Sequence, residues 1–427
     1  MKNLMIVDSS MVKHIDVRRS ARKAWAYALV LIAAGIFVTL GSFLPHGSRA
    51  SYENTLRATS ENTLFESPVT TAAPTAMGAD QSYFVSPTGS DSNDGTHAHP
   101  WATISRAALQ AGPGSVVLVL PGTYISIGEI KTRANGTASA RITFVSETQW
   151  GATLISIATG NSAVWDNEGN YVDIKGFDIT GSGSLGIYNY GSHVRIIGNH
   201  VHDIPASGCG DNGGAGIHNG NPSAQDDDVI GNVVNHIGDY ENPCPRVHGI
   251  YYMNLGGHAW DNIVYRNQGW GIHAWHNASS TVIANNSVFN NGYGGILIGA
   301  DSVLNDYTLV SNNIVYRNGL NPKADGYGIA EYGKTGTHNL YLNNLVYQNG
   351  PADWNLQNGN KPSGTVCADP QFVHYTGDST GDYHLRSTSP ALKKGTDQGT
   401  PTSGNGAGAK SSEINLGAYG GERLSRE

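Results

Sequence analysis

The sequence predicts an all-β chain wound as a right-handed parallel β-helix, and three observations support this prediction. The 427 residues include 55 glycines and 38 asparagines, and both types are poor helix formers. Short segments alternate Val or Ile with other residues, which is typical of strands. Two short motifs recur through the middle of the chain at intervals of 22 to 33 residues, and such self-similarity indicates a solenoid.

Composition excludes some classes of protein. Hydrophobic residues make up 39% of the chain, which is enough for a sizeable core, whereas charged residues make up only 14%. The net charge is −8 and no basic stripe is present. A nucleic-acid partner is therefore not expected, because such partners require clustered Lys and Arg.

The amino-terminal part predicts export rather than fold. Residues 1–23 form a basic region, and residues 24–44 are apolar, with no charge from 25 to 44. Two interpretations are open: a transmembrane anchor, or a signal peptide cleaved near Ser48-Arg49-Ala50. Residues 45–80 are rich in Thr, Ser and Ala and predict a flexible linker. Both interpretations place the remainder outside the cytoplasm, with membrane contact only through this segment.

Residues 81–364 carry the repeats. The first motif is Asn-x-Val, or a close variant, and it begins at Asn199, Asn232, Asn262, Asn286, Asn313 and Asn344, with a degenerate copy at Phe177. The second motif is Gly-Ile, found at Gly186, Gly216, Gly249, Gly271, Gly295 and Gly328, with Trp354 in its place in the last coil. Stacked coils of short strands bury a continuous apolar column. The sequence therefore predicts one buried column of valines and one ladder of asparagines.

The two ends of the solenoid need caps. An amphipathic segment from Ile104 to Ala111 predicts a cap helix at the first coil. Residues 365–427 predict an irregular carboxy-terminal cap.

Both end regions resemble a known group of proteins. The first reads Tyr83-Phe84-Val85-Ser86-Pro87-Thr88-Gly89-Ser90-Asp91-Ser92-Asn93-Asp94-Gly95-Thr96 and then Pro100-Trp101-Ala102-Thr103-Ile104. The second includes Ala368-Asp369-Pro370-Gln371-Phe372 and Leu416-Gly417-Ala418-Tyr419. The chain resembles, over about residues 82–422, the secreted pectate-lyase-like β-helix proteins, which include polysaccharide lyases and some glycosidases. The resemblance implies fold and location but not the reaction, since one fold carries many chemistries.

Three coils carry insertions at one equivalent corner, where solenoids commonly place function. They are residues 205–215, 238–248 and 319–327. The first two contain Cys209 and Cys244, which are predicted to form a disulfide outside the cytoplasm. Two free thiols are the alternative, and Cys367 is expected to be unpaired.

The strand that carries each Gly-Ile motif supplies candidate site residues. If each Ile of Gly-Ile points inward, the next residue points outward, and this aligns Tyr188, His218, Tyr251 and His273. His218, Tyr251, His273 and His248 are the candidate catalytic residues; Arg246, Trp275, Tyr188 and Tyr190 are the candidate substrate-binding residues. A second outward row, predicted to serve packing, consists of His202, Tyr265, Phe289, Tyr316 and Tyr347.

These residue types favour an acidic-glycan lyase that acts by β-elimination. A neutral His can act as base and a Tyr as proton donor, while Arg246 binds the substrate carboxylate. A lysine base is disfavoured, because no lysine occurs between Lys175 and Lys323. The alternatives are a glycoside hydrolase with a carboxylate pair and a non-catalytic carbohydrate-binding or structural protein. The carboxylates near the insertions are Asp203, Asp211, Asp239, Glu241, Asp325 and Glu331.

No metal or cofactor is assigned from the sequence. The run Asp226-Asp227-Asp228 offers hard oxygen ligands that suit calcium, or it is a solvated turn. The expected partner is an acidic polysaccharide, and the protein is expected to be a monomer.

Overall fold

A computed structural model describes residues 82–206, 208–210, 213–398 and 414–419, and the predicted fold class is confirmed. Short parallel strands stack coil upon coil into a β-helix, wound in the right-handed sense that parallel crossovers adopt. Within those ranges no helix has the length and apolarity to cross a bilayer. The predicted anchor or signal segment and the linker lie outside the described residues.

The solenoid has three faces. Face A is an eleven-stranded parallel sheet: β1 (Ser82–Val85), β2 (Val116–Val119), β5 (Ile142–Ser146), β7 (Val172–Lys175), β9 (Arg195–Ile197), β12 (Asp228–Ile230), β15 (His258–Trp260), β18 (Val282–Ala284), β21 (Leu309–Ser311), β24 (Leu340–Leu342) and β27 (Pro362–Ser363). Faces B and C belong to one sixteen-stranded sheet, because the long strands β6 (Ala152–Asn167) and β8 (Asp178–Asn189) run through both.

Beyond β8, each coil adds one strand to each of these two faces. Face B contains β10 (His200–Ile204), β13 (Val233–Ile237), β16 (Ile263–Tyr265), β19 (Ser287–Phe289), β22 (Ile314–Tyr316) and β25 (Leu345–Tyr347). Face C contains β11 (Gly214–Asn219), β14 (Val247–Tyr252), β17 (Trp270–Ala274), β20 (Gly294–Asn305), β23 (Ile329–Thr335) and β26 (Trp354–Asn355). The short strands β3 (Gly122–Ser126) and β4 (Ile130–Thr132) pair with β6.

The predicted column of valines is confirmed on face B. Its members are aligned in register from coil to coil and are fully buried: Val201, Val234, Val264, Val288, Val315 and Val346. The isoleucines of the Gly-Ile motif form an equivalent buried column on face C, and Trp354 pairs with Ile329 in the last coil as expected. The core of the protein is therefore one continuous apolar stack.

The glycine of the second motif packs against the valine of the first. A Cβ added to Gly216 would lie 2.4 Å from Val234 Cγ1, and one added to Gly271 would lie 2.4 Å from Val288 Cγ1. Both separations are far below van der Waals contact. The two motifs therefore recur together because each valine occupies space that only glycine leaves open.

The asparagine ladder is confirmed, and a second one accompanies it. In the first ladder each buried amide bonds to the next coil, as where Asn262 Nδ2 donates to Asn286 Oδ1 at 2.9 Å. Its members are Asn199, Asn232, Asn262, Asn286, Asn313 and Asn344. The second ladder, five residues further along each of four coils, consists of Asn267, Asn291, Asn318 and Asn349. Both ladders satisfy buried backbone groups at turns.

The cap helix α1 spans Ile104–Gln110, one residue shorter than predicted, and buries Ile104, Ala107 and Ala108. Its N-cap is Thr103, whose hydroxyl accepts a hydrogen bond from Arg106 N. The carboxy-terminal segment forms the antiparallel pair β28 (Phe372–His374) and β29 (Asp382–Leu385). It folds back along face B.

The second outward row packs beneath that segment. Tyr265, Phe289 and Tyr316 cluster with Phe372 and Tyr383, and Tyr347 lies at the edge of the cluster. The packing interpretation is therefore confirmed for these residues. His202 is the exception, because its ring stacks on His200 at a centroid distance of 4.1 Å and bonds to carboxylates instead.

Candidate active site

The three inserted loops meet on one side of the molecule. Cys209 and Cys244 form the predicted disulfide, with Cα atoms 5.8 Å apart, and Cys367 is a free, exposed cysteine. The third insertion reaches the second: Asn321 Nδ2 donates to Glu241 O at 3.2 Å, and Lys323 Nζ donates to Asn242 Oδ1 at 3.0 Å. The loops lead directly into the strands of face C, so they border its outer surface.

The predicted row of rings is present on that surface. Tyr188, His218, Tyr251 and His273 are paired in register on successive strands. The ring centroids are 4.9 Å apart between Tyr188 and His218, 4.7 Å between His218 and Tyr251, and 4.9 Å between Tyr251 and His273. These separations follow from the strand spacing of a parallel sheet. The row is a continuous stack of aromatic and imidazole rings.

The members of the row differ in how much of each is exposed. His218 and Tyr251 are half-buried, whereas His273 and His248 are buried. His248 belongs to the same cluster, because Gly249 and Ile250 both face inward and so leave His248 on the outer side beside Tyr251. Its ring is enclosed and does not reach the surface. His218 and Tyr251 are therefore the accessible members.

The two buried histidines bond to each other. His273 Nδ1 lies 3.0 Å from His248 Nε2, and within the described ranges neither His248 Nδ1 nor His273 Nε2 has a hydrogen-bond partner. Burial lowers the pKa of His248 to about 3. Burial is the main cause that lowers the pKa of His273 well below its usual value, and the neighbouring imidazoles of His248, His276 and His218 add to it. Both rings are therefore neutral at ordinary pH.

Tyr251 is suited to donate a proton. Burial is the main reason that its pKa is raised above the usual value, and the Asp301 carboxylate adds to this. Its hydroxyl is therefore protonated throughout the neutral range. Beside it, His218 Nε2 lies 3.1 Å from Met253 Sδ. The pair combines a titratable imidazole with a stable hydroxyl donor.

The candidate substrate-binding residues surround this pair. Tyr188 is buried and donates its hydroxyl proton to the hydroxyl of half-buried Tyr190 at 2.6 Å. Trp275 is half-buried beside His273, 5.4 Å between ring centroids. Its ring lies over Gly299, where an added Cβ would approach within 2.3 Å. Arg246 is exposed at the end of the disulfide-linked loop. Aromatic faces and hydroxyl groups thus lie along the row, and an exposed cation lies on the neighbouring loop.

The carboxylates considered for hydrolysis are dispersed. Glu331 is fully buried, and its oxygens accept bonds from Asn339, Tyr341, Asn360 and the Gln357 amide. Asp325 accepts a bond from the Tyr293 hydroxyl. Asp203 lies on β10 of face B, and Asp211 lies outside the described residues.

The three aspartates of the run Asp226-Asp227-Asp228 lie in three different environments. Asp226 is exposed, with His193 Nδ1 3.7 Å away. Asp227 is buried and bonds to Asn189, Asn254 and the Val194 amide, and burial raises its pKa well above the usual value. Asp228 Oδ1 lies 2.6 Å from His258 Nδ1. These partners indicate structural roles for Asp227 and Asp228.

A second cluster of His and Asp side chains was not predicted from the sequence. Asp178, His200 and His202 meet on the outer surface of face B. The row of rings lies on a different face, face C. The sequence signal was available: His200 and His202 are two residues apart on one strand, and Asp178 pairs with His200 in the preceding coil.

Comparisons with known proteins agree with the fold. The family model described as a Pel9A-like, right handed beta helix region matches residues 83–243, and one described as disaggregatase related matches residues 297–403. Pectate lyase L of Dickeya chrysanthemi is 24% identical over 325 residues, which cover 62% of this chain and 70% of that protein. Pectate lyase L of Dickeya dadantii is also 24% identical, over 315 residues, with the same coverage of each chain.

A solved structure extends the comparison over most of the solenoid. The crystal structure of pectate lyase Pel9A superposes with a TM-score of 0.55 at 18% identity, and the match covers 81% of this chain and 97% of that one. The arrangement of stacked parallel coils is thus shared at low sequence identity. From its repeats, its coils and these matches, the chain has the right-handed parallel β-helix fold and is similar over part of its length to pectate lyases and to the Pel9A-like β-helix region.

Proposed function

We propose that this protein is an extracytoplasmic enzyme that cleaves an acidic polysaccharide by β-elimination. The observation that carries the proposal is the stacked pair His218 and Tyr251, 4.7 Å between centroids, on the surface bordered by the inserted loops. The pectate lyases among the relatives support a polysaccharide substrate. The disulfide supports a location outside the cytoplasm, where such bonds persist.

Each requirement of the reaction has a candidate group. Elimination from a uronate removes the C5 proton and expels the C4 oxygen, and the substrate carboxylate must be neutralised. His218 acts as the base, because imidazole accepts protons near neutral pH. Tyr251 donates its proton to the departing oxygen, because a tyrosine hydroxyl is protonated at neutral pH and lies here beside His218. Arg246 pairs with the carboxylate.

The remaining members of the row support these two. Trp275 and Tyr190 are half-buried and offer faces on which sugar rings stack. His248 and His273 are buried and flank Tyr251 at centroid distances of 4.9 Å each. They act in this proposal as positioning residues, because their burial separates them from substrate.

Hydrolysis is the weaker alternative. A glycosidase requires two carboxyl groups about 5–9 Å apart that face the substrate. Glu331 is enclosed, and Asp239 on the second loop accepts bonds from the Glu241 amide and from Asn242. The accessible pair of the row on the outer surface of face C, His218 and Tyr251, is instead an imidazole and a phenol.

A panel of uronate-containing polysaccharides tests the proposal. We expect at least one to yield an unsaturated uronyl product, detected by its ultraviolet absorbance. New reducing ends without that absorbance would establish hydrolysis instead. Saturable binding with neither product would establish a carbohydrate-binding protein. Either of these two results would overturn the elimination proposal.

A further inference from the structure

Face B carries a compact polar cluster that the proposed function does not use. Asp178 lies at the start of β8, and His200 begins the neighbouring strand β10 directly opposite it. His202 follows two residues later, so both imidazoles project from the same side of the strand, while Val201 between them is buried in the core column.

The ligand atoms of this cluster converge. Asp178 Oδ1 lies 2.9 Å from His200 Nδ1 and 3.0 Å from His202 Nε2. One ligand atom from each of the three residues lies within 4.8 Å of the others, and no other group of three or more His, Cys, Asp or Glu meets that criterion in the described part of the chain. Bonds of about 2.1 Å to a zinc-like ion place neighbouring ligand atoms about 3.0–3.4 Å apart, close to what is observed.

The second polar atom of each residue is held by a different group. Thr153 Oγ1 donates to Asp178 Oδ2 at 3.2 Å. Asn235 Nδ2 lies 2.9 Å from His200 Nε2, and Asp203 Oδ2 lies 2.8 Å from His202 Nδ1. A carboxylate on the far nitrogen of a ligating histidine, as Asp203 is for His202, is a usual support of a metal site, because it fixes ring orientation and tautomer.

We propose that Asp178, His200 and His202 bind one first-row transition-metal ion of the zinc class, with water completing its coordination. Two imidazole nitrogens and one carboxylate suit such ions, whereas calcium prefers all-oxygen ligands. The three side chains are 19–24% exposed, so an ion can enter from solvent. The cluster is on face B, so the metal-site proposal is independent of the lyase activity proposed for face C.

Metal titration of the full protein, carrying no histidine tag and first stripped with chelator, tests this proposal. Zn²⁺ followed by calorimetry should bind with a stoichiometry of one ion per chain. Co²⁺ should develop the visible absorption of a cobalt ion with nitrogen ligands. Zn²⁺ should also raise the melting temperature, because an ion that binds only the folded state stabilises it. Failure of the wild-type protein to bind either ion saturably would overturn the proposal.

Variants locate the site. Asp178→Asn and His202→Gln should each abolish saturable binding and the Zn²⁺-dependent rise in melting temperature. Asp203→Asn should weaken affinity by about 10-fold to 100-fold, as loss of a supporting carboxylate does.

His258→Gln is the matched control for these variants. This residue pairs with Asp228 at 2.6 Å on face A, without a second histidine, and its replacement should leave binding unchanged. Retained binding in folded Asp178→Asn and His202→Gln proteins, or loss in His258→Gln, would show that the cluster is a hydrogen-bonded ion pair without a metal. If one cluster variant melts before the titration temperature, the other and Asp203→Asn decide the outcome.

Discussion

His273 Nδ1 and His248 Nε2 lie 3.0 Å apart between two buried rings. One nitrogen of this contact must carry a hydrogen and the other a lone pair, so at most one of the two rings can be protonated while the bond is kept. Protonating both rings would place two hydrogens between the nitrogens and two charges in a desolvated space. The pair therefore couples the fold to pH.

Acid should destabilise the protein through this pair. The folded pKa of His248 is about 3, below the ordinary value of about 6.5 that applies when the chain unfolds. As pH falls from 6.5 towards 3, the His248 imidazole binds a proton in the unfolded state but stays neutral in the folded state. Stability should fall by at most about 1.4 kcal/mol per pH unit for each such histidine. Melting temperatures measured between pH 7 and pH 4 should therefore fall as the pH is lowered.

The matched variants are His248→Gln and His99→Gln. The first removes a titrating group from the buried pair, so its melting temperature should vary less steeply with pH, although its stability at pH 7 is lower. The second replaces an exposed histidine and should follow the wild-type slope. Equal slopes in all three proteins would contradict a buried neutral pair.

Replacing Tyr251 by Phe should reduce turnover of the active polysaccharide by about 100-fold or more, as loss of a general acid does. The ring stack with His218 and His273 is retained, so the melting temperature should change little. His218→Ala should have a similar effect on turnover. Tyr265→Phe, which removes a hydroxyl beneath the carboxy-terminal segment on face B, is the control and should retain activity. Full activity in both face C variants would exclude the pair from the mechanism.

Reduction of the Cys209–Cys244 bond should lower stability and loosen the loops beside the row. The bond closes a segment with a sequence separation of 35 residues, and chain-entropy reasoning assigns at most about 3–4 kcal/mol to such a closure. Cys244→Ser should therefore melt at lower temperature than the wild type, in scanning calorimetry. Cys367→Ser changes a free exposed thiol and should melt as the wild type does; an equal loss in both would refute the assignment.

Asn262→Ala should destabilise the solenoid more than its size suggests. The Asn262 side chain accepts from the Asn232 amide at 2.9 Å and donates to Val229 O at 2.8 Å. Leaving such buried groups without partners costs about 1–3 kcal/mol each, so a loss of about 3 kcal/mol is expected in denaturant unfolding. Asn242→Ala, at an exposed loop position, should lose less than about 0.5 kcal/mol. Similar losses would contradict the ladder's role.

The fold was predictable because its repeat pattern is local. Alternation and the recurrent Asn-x-Val and Gly-Ile motifs fix which residues face the core, and the register of Val234 on Val264 follows from them. The disulfide followed from equal positions on neighbouring coils. The second ladder was not predicted, although its asparagines follow those of the first ladder by five residues in four coils.

The register of the row of rings was predictable from the sequence, but the accessibility of its members was not. The register placed Tyr251 beside His218 and His273, yet the burial of His273 depends on rings from other coils, among them Trp275. His202 was assigned to packing because the other members of its predicted row, from Tyr265 to Tyr347, are aromatic. Its contacts with Asp178 and Asp203 depend on side-chain directions that row membership alone does not provide.

The three insertions leave the stack at a single corner, and this has an evolutionary consequence. Coil register is held by the glycine–valine contacts and by both ladders, all of which lie within the regular coils. Residues can be gained or lost at the corner without shifting any strand, since surface connections tolerate changes in length. Related proteins can therefore change the loops that border the row of rings by insertion and deletion alone, while the strands of the solenoid keep their register.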